Sequence, residues 1–121
     1  MRAVDYEGAV KVFDAVEAIQ GEKPRVILVS SIDTRNPDRL ETFPPHYNEV
    51  DKELSRKAHD GIGVYLKWKY EADKNLLART AFPWTILRPG RLLDGPGSGR
   101  VEIGRTHITN MIPVRGFTTR C

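Results

Sequence analysis

The run Val26-Ile27-Leu28-Val29 is the feature that most constrains this chain. Four consecutive apolar residues leave no polar face. The segment from Arg25 to Ser31 therefore reads as a strand buried on both faces, as in a parallel sheet. A second run, Pro83-Trp84-Thr85-Ile86-Leu87-Arg88, reads the same way and is ended by Pro89-Gly90. Between them a helix is expected from about Val64 to Arg79, where Tyr65, Lys69, Ala72, Asp73, Leu76 and Leu77 are spaced to share one side. Another amphipathic helix is expected from about Val4 to Gln20. Its positions Val12, Phe13, Val16 and Ile19 are apolar, with Lys11, Asp14 and Glu17 between them. Gly21 is its expected stop, with Pro24 just beyond. Helix, strand, helix, strand in that order defines an α/β architecture with a parallel sheet.

The remaining sequence is less periodic. Asn36-Pro37 and Pro44-Pro45 mark a loop after the first strand. The polar segment from about Tyr47 to His59 reads as helical, and Gly61 and Gly63 interrupt it. Gly95-Pro96-Gly97-Ser98-Gly99 is a turn cluster, and a short strand is expected at Val101 to Ile103. The tail to Cys121 shows no clear period, and no internal repeat is visible.

Length and composition narrow the possibilities. A chain of 121 residues fits one domain and buries roughly two thirds of its unfolded surface. With 40% hydrophobic residues, disorder cannot be its whole story. The apolar runs fall far short of the roughly 20 residues a membrane helix needs. No basic segment followed by an apolar stretch opens the sequence, so no secretory leader is expected. The only cysteine, Cys121, rules out disulfide scaffolds and cysteine metal sites and makes a reducing, cytoplasmic setting the expectation. Nineteen Lys+Arg against sixteen Asp+Glu give a formal net charge of +3. The late basic residues, Arg79, Arg88, Arg91, Arg100, Arg105, Arg115 and Arg120, are spread over strand-like and turn-like sequence. A nucleic-acid surface would cluster them on one helix among aromatics, so that partner is disfavoured.

The pair Tyr65 and Lys69 is the most informative chemistry. Four residues apart on a helix, a phenol and an ammonium share a face. A nearby cation favours the phenolate and so makes a tyrosine a better acid or base near neutral pH. The ammonium can also donate to the hydroxyls of a nucleotide sugar. The plain alternative is a half-buried tyrosine beside a solvated lysine. In an open parallel sheet, ligands sit outside the carboxyl ends of the strands. Ser30 and Ser31 lie at one such end and Pro89-Gly90 at the next. Hydroxyls there can meet a carbonyl or amide, and a glycine permits close backbone approach. The serines can equally be strand-end caps and Pro89-Gly90 a simple turn. His46, His59 and His107 show no metal-ligand spacing and read as solvated or loop histidines. Asp73, one turn after Lys69, reads as its ion-pair partner. Trp68 and Trp84 read as core or interface residues.

Taken in order, Val4-Asp5-Tyr6-Glu7-Gly8-Ala9, the strand Arg25 to Ser31, Tyr65-x-x-x-Lys69-x-x-x-Asp73-x-x-Leu76 and Trp84-Thr85-Ile86-Leu87-Arg88-Pro89-Gly90 resemble the atypical short-chain dehydrogenase/reductase superfamily, nearest its NmrA-like and epimerase-like branch. The likeness spans about residue 4 to about residue 114. It implies a Rossmann fold in which Tyr65 and Lys69 face the nicotinamide ribose. Ser30 and Ser31 would line the nicotinamide side, and Pro89 and Gly90 would pass beside the ring. In catalytic relatives the tyrosine transfers a proton, the lysine orients the ribose and a serine, here Ser31, polarises the carbonyl. The implied function is a nicotinamide-dependent oxidoreductase or epimerase acting on a small-molecule substrate. NAD(P) is the implied cofactor, with NADP favoured. The alternative within the same branch is a non-catalytic NAD(P)-sensing or protein-interaction module. The family's strand, glycine-rich turn and helix, which hold the pyrophosphate, are not found here: no G-x-G-x-x-G follows a strand in this chain. Residues 1–121 are therefore expected to be a single partial Rossmann domain, its C-terminal portion, lacking the N-terminal dinucleotide-binding half.

Overall fold

The computed structural model describes residues 2–96, 99–100, 103–104, 107–108 and 111–113, with the backbone alone described for 93 and 111–113. A π-helical turn, Arg2–Gly8, runs directly into helix α1, Ala9–Glu17. Gly21 follows at φ +80°, a left-handed conformation that ends helices and suits glycine. Of the four apolar positions expected to face inward, Phe13 is fully buried and Val16 packs on the core, whereas Val12 and Ile19 are exposed.

Strand β1, Val26–Val29, pairs in parallel with β2, Trp84–Leu87, in the register Val26 to Trp84 through Val29 to Leu87. Hydrogen bonding continues past the strand ends: the Ser30 N–H donates to the Leu87 carbonyl at 2.7 Å, and the Ile32 N–H to the Pro89 carbonyl at 2.9 Å. The crossover between them is helix α2, Glu49–Leu77. Asn48 caps it, its side chain accepting from the Asp51 N–H while the Asp51 carboxylate accepts from the Asn48 N–H, a reciprocal capping box. The two helices expected on either side of Gly61 and Gly63 meet at a kink within this span. Ile62, between the glycines, has non-helical φ −123° and ψ 30°, and the flanking glycines lower the local helical preference.

The core joins Phe13, Leu76 and Phe82, with Ala9, Val16, Val26, Leu28, Trp84 and Ile86 packed around them. This corrects the expectation for β1, which is buried on one face only. Val26 and Leu28 meet the core, while Ile27 is 53% and Val29 39% exposed. The physical reason is that the helical layer covers a single side of this two-stranded sheet. Arg79 fastens α1 to the end of α2, donating to Asp14 at 2.9 Å with Glu17 at 3.4 Å. A second parallel pair, β3 (Arg91–Leu93) with β4 (Met111–Pro113), lies in the stretch read as irregular. Strands of three residues are too short to show a period. The strand expected at Val101 to Ile103 falls mostly outside the described residues.

Candidate functional site

The carboxyl ends of β1 and β2 gather most of the residues singled out from sequence. The Lys69 ammonium lies 3.3 Å from the Val29 carbonyl, which accepts its hydrogen bond, and 3.3 Å from the Asp5 carboxylate. It also sits 5.5 Å from the centroid of the Tyr65 ring, so the i, i+4 pair does share a face. The Tyr65 hydroxyl makes no hydrogen bond among the described residues. Two residues beyond Val29, the Ser31 hydroxyl donates to the Ile32 carbonyl at 3.2 Å. The Ile32 to Pro89 hydrogen bond brings Pro89-Gly90 alongside. Ser30 behaves differently: it is 4% exposed, and its hydroxyl donates to Asp73 Oδ2 at 2.9 Å. Of the two serines, only Ser31 is partly open to solvent.

Asp73 does not pair with Lys69 as expected. Its Oδ2 accepts from Arg88 Nε at 3.2 Å and Nη2 at 3.1 Å as well as from Ser30. Asp73 Oδ1 is buried without a partner among the described residues. Burial pushes this carboxyl above the usual carboxylate range, and Ser30 and Arg88 only partly oppose that. Asp5, from the N-terminal turn, takes the lysine because that turn packs on α2. Trp68 seals the same contact, stacked on Tyr6 at 5.6 Å. Trp84 packs against the core and donates its indole N–H to the Arg79 carbonyl at 3.0 Å.

A second polar cluster, unseen in the sequence, lies where the chain leaves β1. Asp33 stands at φ +61°, uncommon for a non-glycine residue but tolerated by aspartate. Its buried carboxylate accepts from Arg35 Nε at 2.7 Å and from the Tyr47 hydroxyl at 2.8 Å. Arg35 also donates to the Leu40 carbonyl at 2.9 Å and to Ser55 Oγ on α2 at 2.5 Å, and it packs on Phe43. Burial, then the bond to Asp33, pushes the Tyr47 phenol upward. His59 completes the cluster from α2. Its side chain is 7% exposed, with Nε2 at 3.2 Å from both the Asp33 carbonyl and Oδ2. The reading of His59 as solvated is thereby corrected: the α2 face it occupies is closed by the loop.

His107 is likewise not free. Its Nδ1 lies 2.5 Å from Asp51 Oδ2, and the Ile108 N–H donates to Oδ1 at 3.1 Å. Burial raises the Asp51 carboxyl, but the Asn48 N–H, His107 and the Ile108 N–H outweigh it and hold it below the usual value. Among the described residues no group of three or more His, Cys, Asp or Glu could hold a metal ion. No helix is long and apolar enough to cross a membrane.

A Tyr–Lys pair, a serine and a Pro-Gly turn thus lie at the carboxyl ends of parallel strands, where ligands of open α/β sheets sit. The family model described as NAD(P)H-binding matches residues 1–113, and the chain belongs to that family. It is 47% identical over 112 residues to the UPF0659 protein C216.03 of Schizosaccharomyces pombe, which covers 92% of this chain and 44% of the relative. The chain thus spans less than half the length of that relative. No solved structure matches it.

The residues present fit one end of a nicotinamide dinucleotide. Lys69 has three donors, and two acceptors occupy it here, which leaves one for a ribose hydroxyl. The phosphate end has no such fit among the described residues. The amino end of α2 is filled by its own acidic groups, Glu49 and Asp51, which would repel a phosphate.

Proposed function

We propose that this chain supplies the nicotinamide-ribose side of a NAD(P)H-dependent oxidoreductase or epimerase-like site. The observation that carries the reading is the placement of Lys69 against the last carbonyl of β1, with Tyr65 beside it and Ser31 two residues further on. Hydride donation or acceptance is the chemistry a nicotinamide dinucleotide supplies when bound. In this reading Lys69 holds the ribose hydroxyls and keeps positive charge beside the phenol. Tyr65 donates or accepts the proton at its hydroxyl. Ser31 donates a hydrogen bond to the substrate carbonyl and polarises it. Pro89 and Gly90 border the ring, and Ser30 braces the end of β1 through Asp73. The substrate is a small molecule, NADP is favoured over NAD, and a cytoplasmic setting suits a chain with a single cysteine.

We further propose that residues 1–121 form the C-terminal portion of the dinucleotide domain, which would leave the phosphate cradle to be supplied by a preceding half. The chain spans 44% of its relative's length, which leaves room for such a half. Fluorescence titration of the 121-residue chain with NADPH is expected to give weak binding, and tight binding would sink the proposal. Reading the coding region upstream of Met1 for a strand followed by a glycine-rich turn tests it independently.

A second reading, a non-catalytic sensing module, is favoured by the Asp5 carboxylate that already engages Lys69. Tyr65→Phe in a protein completed with the glycine-rich half separates the two. Lost turnover with retained binding supports the enzyme. Binding without turnover in either form supports the sensor.

A further inference from the structure

We propose that Arg88, oriented by Asp73, anchors a carboxylate, so that the substrate of the proposed site is a small carbonyl or hydroxyl compound that bears a carboxylate group. The reaction in this statement rests on the proposed function, whereas the anchor itself needs no dinucleotide.

Arg88 directly follows β2, at the carboxyl end of the sheet. The bond from the Ser30 N–H to the Leu87 carbonyl brings the end of β1 beside it. Its Nε at 3.2 Å and Nη2 at 3.1 Å both donate to Asp73 Oδ2. Those two donors make up one edge of the planar guanidinium. The adjoining edge carries one N–H of Nη1 and the second N–H of Nη2, and Nη1 has no partner among the described residues. Two parallel N–H groups match the two oxygens of a carboxylate. The Arg88 side chain is 46% exposed, so a ligand can reach that edge.

The guanidinium is braced from behind. The Asp73 side chain is 2% exposed, and the Ser30 hydroxyl holds the same Oδ2 at 2.9 Å. Asp73 Oδ1 is buried without a partner among the described residues. A buried polar atom left unmatched costs stability, a cost that a tie between α2 and β2 alone does not require. An arginine already oriented in this way loses little freedom when a ligand meets it.

The surrounding charges set the kind of anion. Lys69, one helical turn before Asp73, pairs with Asp5 at 3.3 Å, and Arg88 pairs with Asp73. Two cations against two carboxylates leave no excess positive charge to hold a dianion. The attraction rests on the hydrogen-bonding edge, which suits a planar monoanion.

The test uses the 121-residue chain without dinucleotide, so failure of the anchor and failure of the cofactor reading are told apart. Propionate is the probe, with propionamide and inorganic phosphate as comparators. Propionate is expected to shift the Arg88 guanidinium ¹⁵N signals saturably, and propionamide is expected to leave them unmoved. Arg88→Gln should weaken propionate binding by at least about tenfold, the loss of a charge-assisted pair of hydrogen bonds. Arg88→Lys, which keeps the charge but not the edge, should fall between the two. Absence of saturation by propionate, equal binding of propionamide, tighter binding of phosphate, or full affinity in Arg88→Gln or Arg88→Lys would each overturn the proposal. The three-probe comparison is read on the wild-type chain and so stays decisive if a variant fails to fold.

Discussion

The two halves of α2 bury polar side chains to different ends. Beyond the kink at Ile62, the helix turns Lys69 and Asp73 toward the ends of β1 and β2. Before the kink it turns Asp51, Ser55 and His59 toward a loop and toward residues 107–108. The second half rests on an apolar core that includes Leu76, whereas the first half is held by hydrogen bonds and ion pairs. A buried apolar contact loses stability in proportion to the cavity left behind. A buried polar hub fails all at once when its acceptor is removed.

The largest effect is expected in the apolar half. Leu76, 0% exposed, should cost about 4 kcal/mol as Leu76→Ala, read as a lower urea midpoint for the whole domain. In the polar half, Asp33→Ala removes the acceptor of Arg35 and Tyr47 and places alanine at φ +61°. It should cost about 3 kcal/mol, the low end for breaking a buried ion pair. Amide hydrogen exchange should show the loss of protection centred on the loop 33–47. Equal loss across β1 and β2 would erase the distinction between the halves.

Asp51 and Asp73 sharpen the contrast with pH. Asp51 titrates lower when folded, so its contribution is present above its unfolded value and lost as pH falls through the folded one. Asp73 titrates higher when folded, so its contribution is present below the unfolded value and lost as pH rises through the folded one. Asp51→Asn should therefore cost more at pH 7 than at pH 3, about 2 kcal/mol at neutrality from its charge-assisted hydrogen bonds. Asp73→Asn should cost less at pH 7 than at pH 3. Denaturation at the two pH values measures both, and parallel behaviour would contradict the opposed settings. The smallest effect concerns the kink. An added Cβ at Gly61 meets nothing within 4 Å, so Gly61→Ala should stabilise by about 0.5–1 kcal/mol, seen as a modest rise in Tm.

Sequence reading reached the half of α2 where signals are local. Tyr65 and Lys69 lie one turn apart, and apolar runs mark the two strands that the helix connects. The pairing of Lys69 with Asp5 and of Asp73 with Arg88 was not legible. Spacing along a helix fixes which residues share a face, not which partner another element brings to it. The cluster of Asp33, Arg35, Tyr47 and His59 was hidden for a stronger reason. Its members are separated by up to 26 residues and are joined by a loop with no period. One-sided burial of β1 escaped too, because four apolar residues in a row look alike whether one face or both are covered.

Lys69 and Tyr65 are proposed to form the ribose side of a dinucleotide site. The most direct measurement is NADPH fluorescence titration of the protein completed with the glycine-rich half, comparing wild type with Lys69→Ala. The expected result is binding by wild type and an affinity lower by about tenfold or more in the variant, or about 1.4 kcal/mol. Equal affinity in the two would contradict it.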